Sequence, residues 1–331
     1  MEINYLTLFI TNFIFFFILY FILLKISYKI KLLDISNNRK IHQGMIPLVG
    51  GPLIFISCIL VVLLFDVKFD NLFFYVFFSS FILISLGVYD DIYSVSPYIR
   101  LLIQVIAISF IINAGINISH LYSQNIYLEL NIFGYIFTLL CLIALINSFN
   151  FIDGIDGLAS SSFLVPIFSI FIFYLINNEN FNLYIILFFN VFLFFFVNIK
   201  VFKFNQIFLG DSGSTFLGFI LGCILIYSSE NMLIDSFLVP WLVLVPIYDL
   251  IRVIIIRIAK KTNPIYPDKI HIHHILMNVF NSQFKALLLI NILSILSIFL
   301  GYFLIKFIGF YSILIYLLIF IMYFYIINKI M

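Results

Sequence analysis

The chain has 331 residues, 64% of them hydrophobic, 20% aromatic and only 10% charged, with a formal net charge of +2 and a mean hydropathy of +1.22. That balance excludes a water-soluble globular enzyme, in which about a quarter of residues are charged, and the small net charge gives no sign of a nucleic-acid partner. What remains is an all-α polytopic integral membrane protein, because a backbone exposed to lipid must satisfy its own hydrogen bonds.

Apolar runs able to cross roughly 30 Å of hydrocarbon fall in chain order at about 3–24, 48–65, 72–88, 101–117, 132–148, 158–176, 183–199, 214–228, 237–258, 286–305 and 309–328. They predict about eleven transmembrane helices. The first follows MEINY, which has no basic n-region, so it reads as a retained anchor and not a cleaved signal peptide. With the N-terminus outside, every Lys and Arg except Lys68 and Lys306 falls on one side. That side is therefore cytoplasmic, and the C-terminus lies there too. Cys58, Cys141 and Cys223 each sit alone in an apolar run and read as small buried hydrophobes. No cytoplasmic stretch is long enough to fold alone. The chain reads as one membrane-embedded domain, 1–331, with cytoplasmic loops at 26–47, 89–100, 147–160, 199–214 and 259–285.

The acids separate into two groups. Glu2, Asp66, Asp70, Glu129, Glu179, Glu230 and Asp235 lie in or beside short external loops, where solvation accounts for them. The cytoplasmic acids gather in patterned stretches. NRKIHQGMIPLVGG, from Asn38 to Gly51, places Lys40 and His42 where they can meet a phosphate, although a basic juxtamembrane loop looks the same. GVYDDIYSVSPYIR carries the adjacent pair Asp90 and Asp91; like charges so close push one toward holding its proton unless a cation lies beside them. Ser96-Pro97 there is a helix-start signal.

NSFNFIDGIDGLAS, from Asn147 to Ser160, spaces Asn147, Asn150, Asp153 and Asp156 by three residues. A helix continuing past the fifth span would put neighbouring members on one face, suited to a base, a ribose or a metal. Asn, Asp and Gly also make turns, which accounts for one Asp-Gly better than for two in register. FNQIFLGDSGSTFLG sets Asp211 at the start of the eighth span, either as a cap favoured by the helix dipole or as a hard oxygen ligand for magnesium; Ser212 and Ser214 are further candidate caps. PIYDLIRVIIIRIAKKTNPIYPDKIHIHHIL, from Pro246 to Leu276, has Asp249 and Arg252 one turn apart and ends in His271, His273 and His274. Three histidines beside Lys260, Lys261 and Lys269 suit phosphate better than a transition metal, because no cysteine or acid has ligand spacing to them. His271 and His274 would share a helical face.

RKIHQGMIPLVGG, DDIYSVS, NSFNFIDGIDGLA, FLGDSGS and PDKIHIHH follow one another as they do in the polyprenyl-phosphate N-acetylhexosamine-1-phosphate transferases, and the chain resembles that superfamily from about residue 38 to 276. The likeness is to the branch that uses UDP-N-acetylglucosamine or related UDP-sugars. The peptidoglycan branch, phospho-N-acetylmuramoyl-pentapeptide transferase, carries three consecutive histidines, where this chain has HIHH. The chain also lacks the insertion before the tenth span typical of the eukaryotic dolichol enzyme. One departure from the UDP-N-acetylglucosamine branch is Lys269, where arginine is expected.

The resemblance implies transfer of an N-acetylhexosamine 1-phosphate from a UDP-sugar to undecaprenyl phosphate, releasing UMP, at a bacterial cytoplasmic (inner) membrane with the site facing the cytoplasm. It implies magnesium, or manganese in its place, on Asp211 and Asp91. Asp90, with Asp91 beside it, would orient or deprotonate the lipid phosphate. Asn150, Asp153, Asp156 and Phe208 would face the nucleotide, with Phe208 stacked on uracil. Lys40, His42, Lys269, His271, His273 and His274 would meet the diphosphate or sugar phosphate. Lipid would enter sideways between spans, and a homodimer is left open. Another UDP-N-acetylhexosamine or a 6-deoxyhexose donor fits the motifs as well. A transporter fits poorly, since transport sites lie near the bilayer midplane and these acids lie at cytoplasmic ends.

Overall fold

Helices occupy nearly every position where an apolar run was read. The computed structural model describes residues 5–35, 44–65, 71–124, 126–177, 179, 181–201, 203–263 and 270–330. Lys40, His42 and Lys269 lie outside these residues. In chain order the helices are α1 (Tyr5–Ile30), α2 (Gly50–Leu64), α3 (Asn71–Tyr93), α4 (Pro97–Asn113), α5 (Ile132–Ile152), α6 (Leu158–Ile176), α7 (Asn182–Asn198), α8 (Gly210–Glu230), α9 (Val239–Leu242), α10 (Leu244–Ala259), α11 (Ile272–Phe280), α12 (Gln283–Ile308) and α13 (Ser312–Ile330). Six segments among the described residues are long and apolar enough to cross a membrane, and several shorter apolar helices accompany them. The protein is a mostly helical, multi-pass membrane protein.

The structure departs from the sequence reading in four places. The ninth run is two helices, α9 and α10, broken at Val243. Pro246 has no N–H to donate and its ring crowds the carbonyl one turn earlier, at Leu242. The all-helical expectation also misses two antiparallel ribbons, β1 (Leu33–Ile35) with β2 (Met45–Pro47) and β3 (His120–Ser123) with β4 (Ile126–Glu129). Glu230 is more than a solvated acid: at the end of α8 its carboxylate accepts from the Ser119 N–H at 2.9 Å and the Ser119 hydroxyl at 2.6 Å. It thereby holds the β3–β4 ribbon to the bundle. Finally, α3 runs to Tyr93, past the apolar stretch, so Asp90 and Asp91 stand on a helix and not in a turn. As the Ser96-Pro97 pair predicts, α4 starts there, with Ser96 Oγ accepting from the Ile99 N–H at 3.4 Å.

Helix α8 is the centre of the bundle and almost wholly buried, packed between α3 and α5. Its small residues let neighbouring backbones approach, the usual means of packing helices where no water drives association. A Cβ at Gly218 would stand 2.8 Å from the Leu145 carbonyl of α5. Buried polar pairs add directional contacts: Asn190 of α7 donates to Asn12 of α1 at 2.6 Å, and Tyr174 of α6 contacts Tyr184 of α7 at 3.0 Å. Cys58 and Cys223 are buried and Cys141 half-buried, all three with free thiols. The consequence for function is that the start of α8, carrying Asp211, meets the ends of α3 and α5.

Candidate active site

Adjacent residues on a helix point about 100° apart, so the two carboxylates at the end of α3 face different spaces. Asp90 turns toward α4, where its Oδ2 accepts from Arg100 Nη1 at 3.0 Å and its Oδ1 from the Val95 N–H. Asp91 turns toward α8, where its Oδ1 accepts from the Asp211 N–H at 3.0 Å. Asp211 completes the cluster by accepting from Arg100 Nη1 at 3.1 Å and from Asn150 Nδ2 at 2.8 Å. Gly210 makes this approach possible. Its φ of +73° favours glycine, and a Cβ there would lie 2.6 Å from Asp91 Oδ2. The capping role considered for Ser212 and Ser214 is not what the structure contains: Ser214 donates back to the Gly210 carbonyl at 3.1 Å, and α8 starts with no side-chain cap.

Two cavities meet at this cluster. One, of 340 Å³, is chiefly apolar, runs between α3, α4, α5 and α10, and has Asp90 and Arg100 at its polar end. The other, of 720 Å³, is largely polar and takes in Asp91, Asp153, Asp156, Lys200, Phe208 and His274. Asn150 and Asp211 line both. The 3-spaced row does not share a single helical face, because α5 stops at Ile152 and Asp153 leaves helical geometry. Asn147 instead donates to Gln104 at 2.9 Å on the apolar side, while Asn150, Asp153 and Asp156 line the polar cavity. The Asp-Gly turn is pinned by Asn198, whose Oδ1 accepts from the Gly157 N–H at 2.6 Å. Burial first, then repulsion from Asp211 and Asp156, pushes the Asp153 carboxyl up to about 8, so a cation nearby would favour its ionised form.

The histidines divide as well. His274 lines the polar cavity. His271 occupies the residue before α11 in extended conformation, with no side-chain cap and buried against α10, and so shares no helical face with His274. His273 is 1% exposed, packs against the Gly154 backbone, and finds no hydrogen-bond partner for either ring nitrogen among the described residues. The room left by Gly154 is thus taken by a histidine. Burial, with lesser repulsion from His274, lowers the His273 pKa to about 3. The neutral ring then stabilises the fold fully above the ordinary value of about 6.5, and that contribution is lost as pH falls from there toward 3. Between pH 7.5 and 5.5 the cost is about 1 kcal/mol. Thermal unfolding in detergent should show it as a steeper loss of stability in the wild type than in His273→Gln; parallel pH profiles would contradict it.

Arg100, Lys200 and Gln104 line the two cavities and are residues that the sequence did not single out. Arg100 and Lys200 were absorbed by the positive-inside count, and Gln104 sits in an apolar run with no pattern around it. The sequence signal for Arg100 is its place one turn into a helix whose start is marked by Ser96-Pro97. Asp91 Oδ2 is buried and has no hydrogen-bond partner among the described residues. That oxygen and Asp211 suit magnesium, which takes one or two carboxylates and draws its other ligands from phosphates and water. Among the described residues no three His, Cys, Asp or Glu side chains converge as a metal cage, so an ion here would depend on a phosphate-bearing substrate.

A family model described as glycosyl transferase family 4 matches residues 73–229, a stretch that includes the whole acidic cluster. The chain is 31% identical over 278 residues, 82% of its length and 76% of the relative's, to a Bacillus subtilis (strain 168) protein named probable undecaprenyl-phosphate N-acetylglucosaminyl 1-phosphate transferase. It is 29% identical over 287 residues, 84% of its length and 78% of the relative's, to the undecaprenyl-phosphate alpha-N-acetylglucosaminyl 1-phosphate transferase of Yersinia pestis. The Escherichia coli (strain K12) protein of that same name is 28% identical over 280 residues, 82% of this chain and 76% of its own. Likeness over most of both chains, with the clustered acids inside the matched stretch, means that the chain belongs to glycosyl transferase family 4.

Proposed function

We propose that the protein transfers N-acetylglucosamine 1-phosphate from UDP-N-acetylglucosamine to undecaprenyl phosphate, releasing UMP and beginning a cell-envelope glycan. The observation that carries this is the meeting of an apolar cleft and a polar cavity at Asn150 and Asp211. A lipid phosphate and a nucleotide sugar need such a pair of spaces with one shared end. The names of the relatives support the acceptor and the transferred group, undecaprenyl phosphate and N-acetylglucosaminyl 1-phosphate, and the motif resemblance supports a UDP-sugar as the donor. All 331 residues act as one membrane domain, with about eleven crossings, the N-terminus outside and the site on the cytoplasmic face of the bacterial inner membrane. The distribution of Lys and Arg supports that orientation.

In the reaction a lipid phosphate oxygen attacks the β-phosphorus of the UDP-sugar, a new P–O bond forms, and the bond between the β-phosphorus and the bridging oxygen breaks, that oxygen leaving with UMP. Both partners are anionic, so their repulsion is the first barrier. Asp211 and Asp91, with the substrate phosphates, would hold magnesium, which would supply neutralising charge to the diphosphate. Asp90 and Arg100 orient the lipid phosphate at the mouth of the apolar cleft. Asn150, Asp153 and Asp156 face the nucleotide sugar, Phe208 offers a ring for uracil, and His274, with Lys40, His42 and Lys269, meets the phosphates. Positioning and electrostatics suffice for phosphoryl transfer, with no covalent protein intermediate. A homodimer is compatible with this scheme and not required by it.

The test is UMP release by detergent-purified protein given undecaprenyl phosphate, magnesium and a panel of UDP-N-acetylhexosamines, each with and without lipid. Lipid-dependent release from UDP-N-acetylglucosamine is the expected result. Release from a different donor alone would reassign the sugar, and no release from any donor by folded protein would overturn the proposal.

A further inference from the structure

The apolar cleft is not apolar throughout. One turn beyond Arg100 on α4 stands Gln104, 3% exposed, and one turn before Asn150 on α5 stands Asn147; both line the cleft among Leu86, Leu140 and Ile143. Four residues advance about 6 Å along a helix and three about 4.5 Å. The two amides therefore form a second polar layer, one turn farther into the bundle than the layer in which Arg100 and Asn150 meet Asp211.

The way Gln104 faces follows from its neighbour. Asn147 Nδ2 donates to the Ile143 carbonyl at 2.8 Å and to Gln104 Oε1 at 2.9 Å. A backbone carbonyl can only accept, so the Asn147 nitrogen is fixed on that side, and Gln104 must turn its oxygen toward it. Gln104 Nε2 then points away from Asn147, with no acceptor among the described residues. It is not sealed inside the protein, and the space it opens on is the cleft. Hydrogen bonds between transmembrane helices do add cohesion. Cohesion asks only for the Gln104 oxygen, however, and an amide nitrogen left facing an apolar wall is costly unless something accepts from it.

A prenyl phosphate lying with its tail in the cleft turns its charged terminal oxygens to Arg100. Its ester oxygen, which joins phosphorus to the tail, faces back toward the amides. We propose that Gln104 Nε2 donates to this ester oxygen, and that Asn147 is the positioning residue that turns the amide toward it. The inference rests on the proposed transfer, with the lipid in this cleft. A neutral amide suits the uncharged ester oxygen as the guanidinium suits the charged ones. The ester bond is neither made nor broken in the transfer, so the contact is the same before and during reaction. Its loss should therefore raise the KM for the lipid and leave kcat alone.

The test is UMP release from UDP-N-acetylglucosamine by the full-length protein in detergent. The acceptors are undecaprenyl phosphate and its methylene phosphonate analogue, in which CH₂ replaces the ester oxygen. The wild type should prefer the phosphate. Gln104→Met keeps the length of the side chain and removes its donors. It should lose about 3- to 10-fold in kcat/KM for the phosphate, the worth of one neutral hydrogen bond, and less than about twofold for the phosphonate, where the partner atom is already gone. The differing acidity of the two heads is common to both enzymes and cancels in the comparison. Asn147→Ala, which frees the amide to turn its oxygen to the cleft, should lose part of the same preference.

Equal losses on the two acceptors in Gln104→Met would overturn the proposal, showing that the amide serves the fold. A fall in kcat with no change in the KM for the lipid would also overturn it. Should Gln104→Met fail to fold, an undiminished preference for the phosphate in Asn147→Ala would do so as well. These outcomes leave the transfer itself standing, whereas absent UMP release by the wild type with any donor would overturn the transfer and this contact with it.

Discussion

Asp211→Asn should abolish most UMP release while leaving the protein folded and membrane-inserted. The carboxylate stands where the two cavities meet, with Asn150 on one oxygen and Arg100 on the other. An amide of the same shape keeps an acceptor for Asn150 and removes the anionic oxygen a magnesium ion requires. Loss of one preorganised electrostatic contact at a reacting phosphate is worth about 3 to 4 kcal/mol, or roughly 100- to 1,000-fold in kcat. The cost to stability is smaller, because an acid in the first turn of a helix contributes only about 0.3–1 kcal/mol through the dipole. Two measurements separate activity from ion binding: UMP release across a magnesium titration, and the rise in unfolding temperature that magnesium with UDP-sugar confers on the wild type through linkage. Both should disappear in the variant. Full activity at ordinary magnesium would remove Asp211 from the metal role.

The stretch 147–160 shows how far the chain could be read and where reading stopped. Its polar residues were conspicuous because they interrupt apolar runs, and the three assigned to the nucleotide side, Asn150, Asp153 and Asp156, line the polar cavity. Their arrangement depended on where α5 ends, and the end at Ile152 is set by tertiary contacts of the turn, such as Asn198 with the Gly157 N–H, that lie 41 residues apart in sequence. The pair Asp90 and Asp91 was legible as a pair. Its division between two spaces was not, because that needs the rotational setting of α3 against α4 and α8. The span positions were readable for a simpler reason, since apolar length alone selects them. The break at Val243 was within reach through Pro246, whose effect on a helix is local.

Arg100 is the residue whose importance emerges only from the assembled bundle, and Arg100→Met should raise the KM for undecaprenyl phosphate more than the KM for the UDP-sugar. One guanidinium nitrogen bridges Asp90 and Asp211, at 3.0 and 3.1 Å, where the apolar cleft ends. A lipid tail lying in that cleft would bring its phosphate to this cation. Charge-assisted hydrogen bonds of this kind are worth about 1.5–3 kcal/mol, so kcat/KM for the lipid should fall about 10- to 100-fold. Methionine keeps the apolar stem of the side chain along the cleft and removes the charged head with its donors. It also leaves Asp90 and Asp211 facing each other without a cation between them. Arg100→Lys should recover part of the loss, because a lysine keeps the charge but cannot reproduce the planar fork. Steady-state kinetics with each substrate varied in turn decides the matter: equal effects on both KM values would place Arg100 at the shared acidic centre alone, and no effect on either would show that the lipid phosphate binds elsewhere.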